Sequence, residues 1–158
     1  MKKRISILLI AVLLISLLAA CGGGSTSKNV PVADLADAVG TAIGKPDLAD
    51  PGASYVKGYF KKDAAELGEY AIRINTMGTN IDEFGIFKAG TLSVSDLKAL
   101  VESYLKLRQD SWMDEYMPDE KPKMMNAEVK VQGDYVMYCI LSDTEKTTAF
   151  KTFTDALK

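Results

Sequence analysis

Twice along this chain, two short alternating apolar segments are followed by a capped amphipathic stretch, and this recurrence limits the possible folds more than any other feature. In the first unit Tyr70, Ile72 and Ile74 alternate with Ala71, Arg73 and Asn75. That is the two-residue period of a half-buried strand. Gly78-Thr79-Asn80 suits a turn, because these residue types tolerate positive φ. Residues 81–88, with Phe84, Ile86 and Phe87, return as the second strand. Ser93 then offers an N-cap, with Asp96 three residues on and Leu92 and Leu97 in staple positions. Leu97, Leu100, Val101, Tyr104, Leu107, Ser111 and Trp112 predict the buried face of a long helix ending near Tyr116, ahead of Pro118. Residues 119–125 read as a polar loop.

In the second unit Ala127, Val129 and Val131 alternate with Glu128, Lys130 and Gln132, and Gly133-Asp134 turns the chain. Residues 135–141 are apolar on both faces, which predicts a strand at the centre of the sheet or covered twice. Ser142 and Glu145 form a capping box for a last helix with Phe150, Phe153 and Leu157 on its face. Ahead of both units, Val32, Leu35, Val39 and Ile43 have helical spacing, and Gly44 and Pro46 stop that helix. A shorter helical piece over 53–60 is interrupted by Gly58. The order is α-ββα-ββα, with negligible residue identity between the two units. The expected fold is α+β: a two-layer sandwich of an antiparallel sheet of about four strands, its order open, with helices packed on one face.

The first 20 residues stand apart from this pattern. Lys2, Lys3 and Arg4 precede an apolar run from Ile5 to Leu18. The run is too short for the ~20 residues of a spanning helix and suits a signal h-region. Leu18-Ala19-Ala20-Cys21 closes it as a lipobox, resembling bacterial lipoprotein signals, in which the cysteine thiol receives a diacylglyceryl group before cleavage. The Gly22-Gly23-Gly24-Ser25 run that follows reads as a flexible tether. The expected organisation is a signal at 1–20, a lipidated Cys21 with its tether over 21–29, and one domain over 30–158.

Composition narrows the function classes. The signal carries three of the 19 cations and none of the 21 anions, leaving 16 against 21 and a formal charge of −5. An acidic domain argues against nucleic acid as a partner. Histidine is absent, which removes the usual general base, the commonest zinc ligand and the usual pH switch. Of the two cysteines, Cys21 is consumed by lipid and Cys139 lies in an apolar run as a small hydrophobe. Asp114, Glu115, Asp119 and Glu120 lack EF-hand spacing and read as a solvated rim. No cofactor, metal or catalytic set is expected. Arg108 lies on the apolar stripe of the long helix, between Tyr104 and Trp112. It either snorkels to solvent, joins a partly buried ion pair or clamps an anionic group. Trp112 and Tyr116 extend the same side, so Arg108, Trp112 and Tyr116 form the candidate ligand or partner surface.

Asp82-Glu83 leading to Ile86-Phe87-Lys88, Arg108 with Tyr116-Met117-Pro118, and Gly133-Asp134-Tyr135-Val136 occur together behind a lipobox. This combination resembles the lipoproteins of domain-of-unknown-function family 4358, over roughly residues 30–142. The resemblance implies a Gram-positive, one-membrane bacterium, and implies no activity, ligand or catalytic residue. The expectation is a lipid-anchored, extracytoplasmic, non-catalytic binding or interaction module, meeting an envelope protein or a small ligand. The alternatives are a small solute receptor serving a transporter and, behind it, an enzyme acting on the cell wall.

Overall fold

A computed structural model describes residues 27–158. The expected signal and Cys21, with most of the expected tether, lie outside the described residues. The elements are α1 (Val32–Ala42), α2 (Ala53–Phe60), α3 (Ala64–Leu67), β1 (Tyr70–Ile74), β2 (Glu83–Lys88), α4 (Val94–Asp110), a 3₁₀ turn (Pro118–Glu120), α5 (Lys121–Met125), β3 (Glu128–Gln132), β4 (Tyr135–Ile140) and α6 (Asp143–Ala156). Four strands form one antiparallel sheet in the order β1-β2-β4-β3. The two hairpins therefore join through β2 and β4, which become the central strands.

The α+β class and the four-stranded antiparallel sheet are as expected; the placing of the helices is not. They cover both faces of the sheet, making three layers. On one face α1 and α6 bring Val32, Leu35, Val39, Ala149 and Phe153 against Phe84, Ile86, Met137 and Cys139. On the other, α2 to α5 bring Val56, Phe60, Leu67, Leu97, Val101, Tyr104 and Met124 against Ile72, Phe87, Val136, Tyr138 and Ile140. Pleating explains how β2 and β4 serve both cores, since successive side chains leave a strand on opposite faces.

Caps set the helix boundaries. The Ser93 hydroxyl accepts from Asp96 N, and Ser142 and Glu145 complete a capping box, both as the spacing predicts. Asp63 and Glu66 form another box that starts α3, a helix absent from the sequence reading. Helix α4 stops at Asp110, not near Tyr116. There the Ser111 hydroxyl turns back onto the Leu107 and Arg108 carbonyls, and Trp112 N shifts to the Gln109 carbonyl, tightening the last turn. Leu107, expected on the buried face, is exposed, and so is Ser111. The stretch read as a polar loop holds α5, which begins with Pro122 in its first turn and buries Met124. A proline is tolerated there because its missing N–H would have had no helical partner.

The described chain enters at one particular end of the sheet. Lys28 N donates to the Leu157 carbonyl, Val30 exchanges hydrogen bonds with the Tyr135 hydroxyl, and Lys88 Nζ donates to Asn29. Lys88 closes β2 and Tyr135 opens β4, and the two are paired. The N-terminal segment is thus fixed at the end of the sheet opposite Glu83.

Candidate functional site

Glu83 opens β2 on the face that α4 covers, beside Gly85 and Phe87. Its carboxylate is buried and is met by four donors. Oε1 accepts from the Tyr104 hydroxyl and from the Tyr138 hydroxyl, the latter at 2.5 Å. Oε2 accepts from the Tyr55 hydroxyl and from Arg108 Nη1, both at 3.0 Å. Four donors fill the roughly four lone-pair sites of an ionised carboxyl group. Nothing remains on Glu83 with which to take a proton from a substrate; its role is to hold Arg108 and three phenols in one arrangement.

The local sequence provides for this. Tyr138 lies directly across from Gly85 in the β2–β4 pairing. A Cβ at position 85 would run into the Tyr138 ring, with Cζ at 2.9 Å. Glycine thus leaves the floor over which the ring passes to reach Glu83. Helix α4 places Tyr104 and Arg108 one turn apart, and α2 supplies Tyr55. The guanidinium carbon stands 5.5 Å from the centroid of the Tyr59 ring and 5.7 Å from that of Tyr104. Two aromatic rings and one carboxylate therefore fix its plane.

The electrostatics follow from burial beside a negative charge. Burial, then the Glu83 carboxylate, pushes the Tyr55, Tyr104 and Tyr138 hydroxyls far up from the ordinary phenol value, so all three stay protonated. For Arg108 burial pulls downward, but Tyr104 and Glu83 outweigh it and the net direction is up. The side-chain hydrogen bonds of Arg108 all come from Nη1, whose two N–H groups are shared among Glu83, Tyr55 and Tyr104. Its Nε and Nη2 donate to no described residue.

Arg108 lines a cleft of about 280 Å³, whose wall also includes Tyr55, Tyr59, Asn80, Glu83, Trp112, Met113 and Tyr116. The three sequence candidates, Arg108, Trp112 and Tyr116, are thus brought together. Trp112 and Tyr116 sit edge to face with centroids 6.2 Å apart. Of the three readings of Arg108, the structure shows the partly buried ion pair, its side chain 20% exposed. The Trp112 indole N–H is buried and has no partner among the described residues.

Next to Glu83, Asp82 is buried between Lys45 and Lys123, which in turn reach Glu145 and Glu120. This alternating chain of charges clamps the same end of the sheet from both faces. Sequence reasoning missed Glu83 as a centre, along with Tyr55, Tyr104 and Tyr138 as its partners. The available signal was two consecutive acids between Ile81 and Phe84, where a buried strand should carry none. Of the four acids read as a solvated rim, Asp114, Glu115 and Asp119 are exposed, whereas Glu120 is partly buried, accepting from Ile81 N and pairing with Lys123. Among the described residues no group of three or more His, Cys, Asp or Glu side chains is placed to hold a metal ion, and no helix is long and apolar enough to cross a membrane.

Neither the curated proteins nor the solved structures give a match to this chain. A family model, described as a domain of unknown function, DUF4358, matches residues 48–141. The matched span holds all four strands and every residue of the Glu83 cluster, from Tyr55 to Tyr138, and omits α1 and α6. The chain belongs to the DUF4358 family.

Proposed function

We propose that this protein is a lipid-anchored, extracytoplasmic binding module that displays the Arg108–Trp112–Tyr116 cleft to an envelope partner or ligand and performs no chemistry on it. The observation that carries the reading is the half-used Arg108. A guanidinium held by Glu83 and two rings, with Nε and Nη2 unpaired among the described residues and its side chain lining an aromatic cleft, is built to recognise. Two further features favour binding over catalysis. The buried carboxylate is saturated with donors, and the Cys139 thiol is enclosed, with burial pushing its pKa well up.

The first described residues and the cleft lie at opposite ends of the sheet. Residues 28–30 dock beside Lys88 and Tyr135, whereas the cleft opens beside Glu83, a β2 length of about 17 Å away at ~3.3 Å per residue. A lipid on Cys21 therefore leaves the cleft on the side of the domain away from the point of attachment. The anchor itself is supported by the Leu18-Ala19-Ala20-Cys21 sequence.

Trp112 is the single tryptophan of the chain, so its emission reports cleft occupancy directly. Titration with peptide, glycan and lipid-headgroup fractions of a bacterial envelope is expected to give a saturable emission shift with one class. Tyr116→Ala, at a half-exposed position, should abolish that shift without loss of fold. Mass spectrometry of the membrane form should find an acylated Cys21 as the first residue. A flat response to every fraction, or an unmodified mature N-terminus, would overturn the respective half of the reading.

A further inference from the structure

The open edge of Arg108 also carries information about the ligand. We propose that the cleft binds the C-terminal end of a peptide chain, with the terminal carboxylate on Arg108 Nε and Nη2 and an apolar terminal side chain among the surrounding rings; this rests on the cleft being a binding site. Four observations converge on that class.

The first is donor geometry. With Nη1 committed to Glu83, Tyr55 and Tyr104, the remaining Nε–Nη2 edge presents two parallel N–H groups. That fork matches the two oxygens of a carboxylate. The second is charge. Around this end of the sheet Asp82, Glu83, Glu120 and Glu145 face Lys45, Lys123 and Arg108, four carboxylates against three cations. A singly charged carboxylate is tolerated there far better than a doubly charged phosphate. The Tyr59 and Tyr104 rings are already taken by Arg108 itself and are closed to a ligand cation.

The third is size. The cleft holds about 280 Å³, at or below the lower end of the ~300–1,000 Å³ range of small-molecule sites. That is room for the last one or two residues of a chain, with the remainder lying outside. The fourth is the rim. Met113 is 65% exposed and Tyr116 51%, and both line the cleft. Large apolar side chains held out in solvent around a charged recess suit the residues that precede an inserted terminus. Asn80 on the wall uses only its Oδ1, for Asp82 N, which leaves its amide N–H groups for a peptide carbonyl.

The test uses Trp112 emission on the chain from Ser27 onward, with three probes. These are an acetylated tripeptide of leucine and phenylalanine as the free acid, the same tripeptide as the C-terminal amide, and 3-phenylpropionate as a small free acid. The free acid should bind at least about tenfold more tightly than the amide, the scale of a charge-assisted hydrogen-bond pair. It should also bind more tightly than phenylpropionate, and Arg108→Lys should erase the acid–amide difference while retaining the charge. If the Lys variant fails to fold, the acid–amide ratio on the parent protein decides alone. Equal binding of acid and amide would remove carboxylate recognition while leaving the cleft a binding site. Tighter binding of phenylpropionate than of the tripeptide would make it a solute pocket. No response to any probe at millimolar concentration overturns the proposal, and the envelope-fraction titration then decides separately whether the cleft binds anything.

Discussion

Glu83 has no spare acceptor capacity, so each of its partners should be felt individually. Tyr138→Phe removes one buried donor and keeps the ring. It should cost about 1.5–3 kcal/mol, the range for a hydrogen bond to a charged group, read from chemical denaturation. Glu83→Gln should cost more, about 3–5 kcal/mol, because it leaves Arg108 partly buried without its counter-charge. Gly85→Ala tests the floor beneath Tyr138. The added methyl collides with a ring that Phe60 and Phe87 already confine, so a loss of about 1–3 kcal/mol is expected. Because both changes act on the same ring, the cost of Gly85→Ala should shrink when Tyr138 is replaced by leucine. Additive costs would mean that the glycine serves some other contact. At this scale the sequence was half legible. Arg108 lies on the helical stripe, but Trp112 and Tyr116 fall beyond the end of α4 at Asp110, so the periodicity that groups the three runs past the helix, and the chain after it brings them to the same cleft. Glu83, Tyr55 and Tyr138 come from three elements, and only the pairing of β2 with β4 and the packing of α2 on that face bring them to one point.

The elements at the Glu83 end are clamped by Asp82, whose neighbours titrate, and this sets a pH dependence. Lys45 and Lys123 are each pulled down by burial, but hydrogen bonds and charge from Asp82, with Glu145 and Glu120, outweigh that and raise them above the ordinary 10.5. Their contribution to stability is complete below that value and is lost as pH climbs through the raised one. Glu145 is pushed up by burial, yet Ser142 and Lys45 bring it below the ordinary 4.5. Its contribution is present above 4.5 and is lost on acidification. Tyr55, Tyr104 and Tyr138, raised from 10.0, add to the alkaline loss because unfolding releases their protons. Stability should therefore be flat from about pH 5 to pH 10 and fall on either side. Absorbance at 295 nm should show Tyr55, Tyr104 and Tyr138 ionising only as the chain unfolds. A single phase for all seven tyrosines would mean that the cluster is not sealed. The two-faced sheet is the point at which sequence reading went astray, and the cause is physical. Arg73 on β1, and Glu128 and Lys130 on β3, look like one solvated sheet face, but both strands are edges, where a charged side chain reaches water around the rim. The central strands carried the correct signal: β4 is apolar on both faces, and Phe84 and Phe87 of β2 have opposite parity.

For the whole molecule, the family-matched span stops short of two helices that the fold needs. Residues 48–141 include the sheet and the Glu83 face, but the opposite face of Phe84, Ile86, Met137 and Cys139 is closed mainly by α1 and α6. Removing those helices would expose a contiguous apolar surface across both central strands, together with Asp82 deprived of Lys45. Burial of side chains such as Leu35, Val39 and Phe153 contributes roughly 1.5–3 kcal/mol each. Losing several at once is comparable with the 5–15 kcal/mol that holds a domain together. A fragment of 48–141 should therefore show no cooperative unfolding transition, whereas 27–158 should show one. Cys139 supplies an independent readout, because in a chain begun at Ser27 it is the sole thiol. Buried, and with its pKa pushed well above the ordinary 9.0, it should resist a disulfide reagent in the longer chain until global unfolding, and react at once in the fragment. A protected thiol and a sharp transition in the fragment would show that the sheet and the Glu83 cluster are stable by themselves. The outer helices would then serve some purpose other than closing the core.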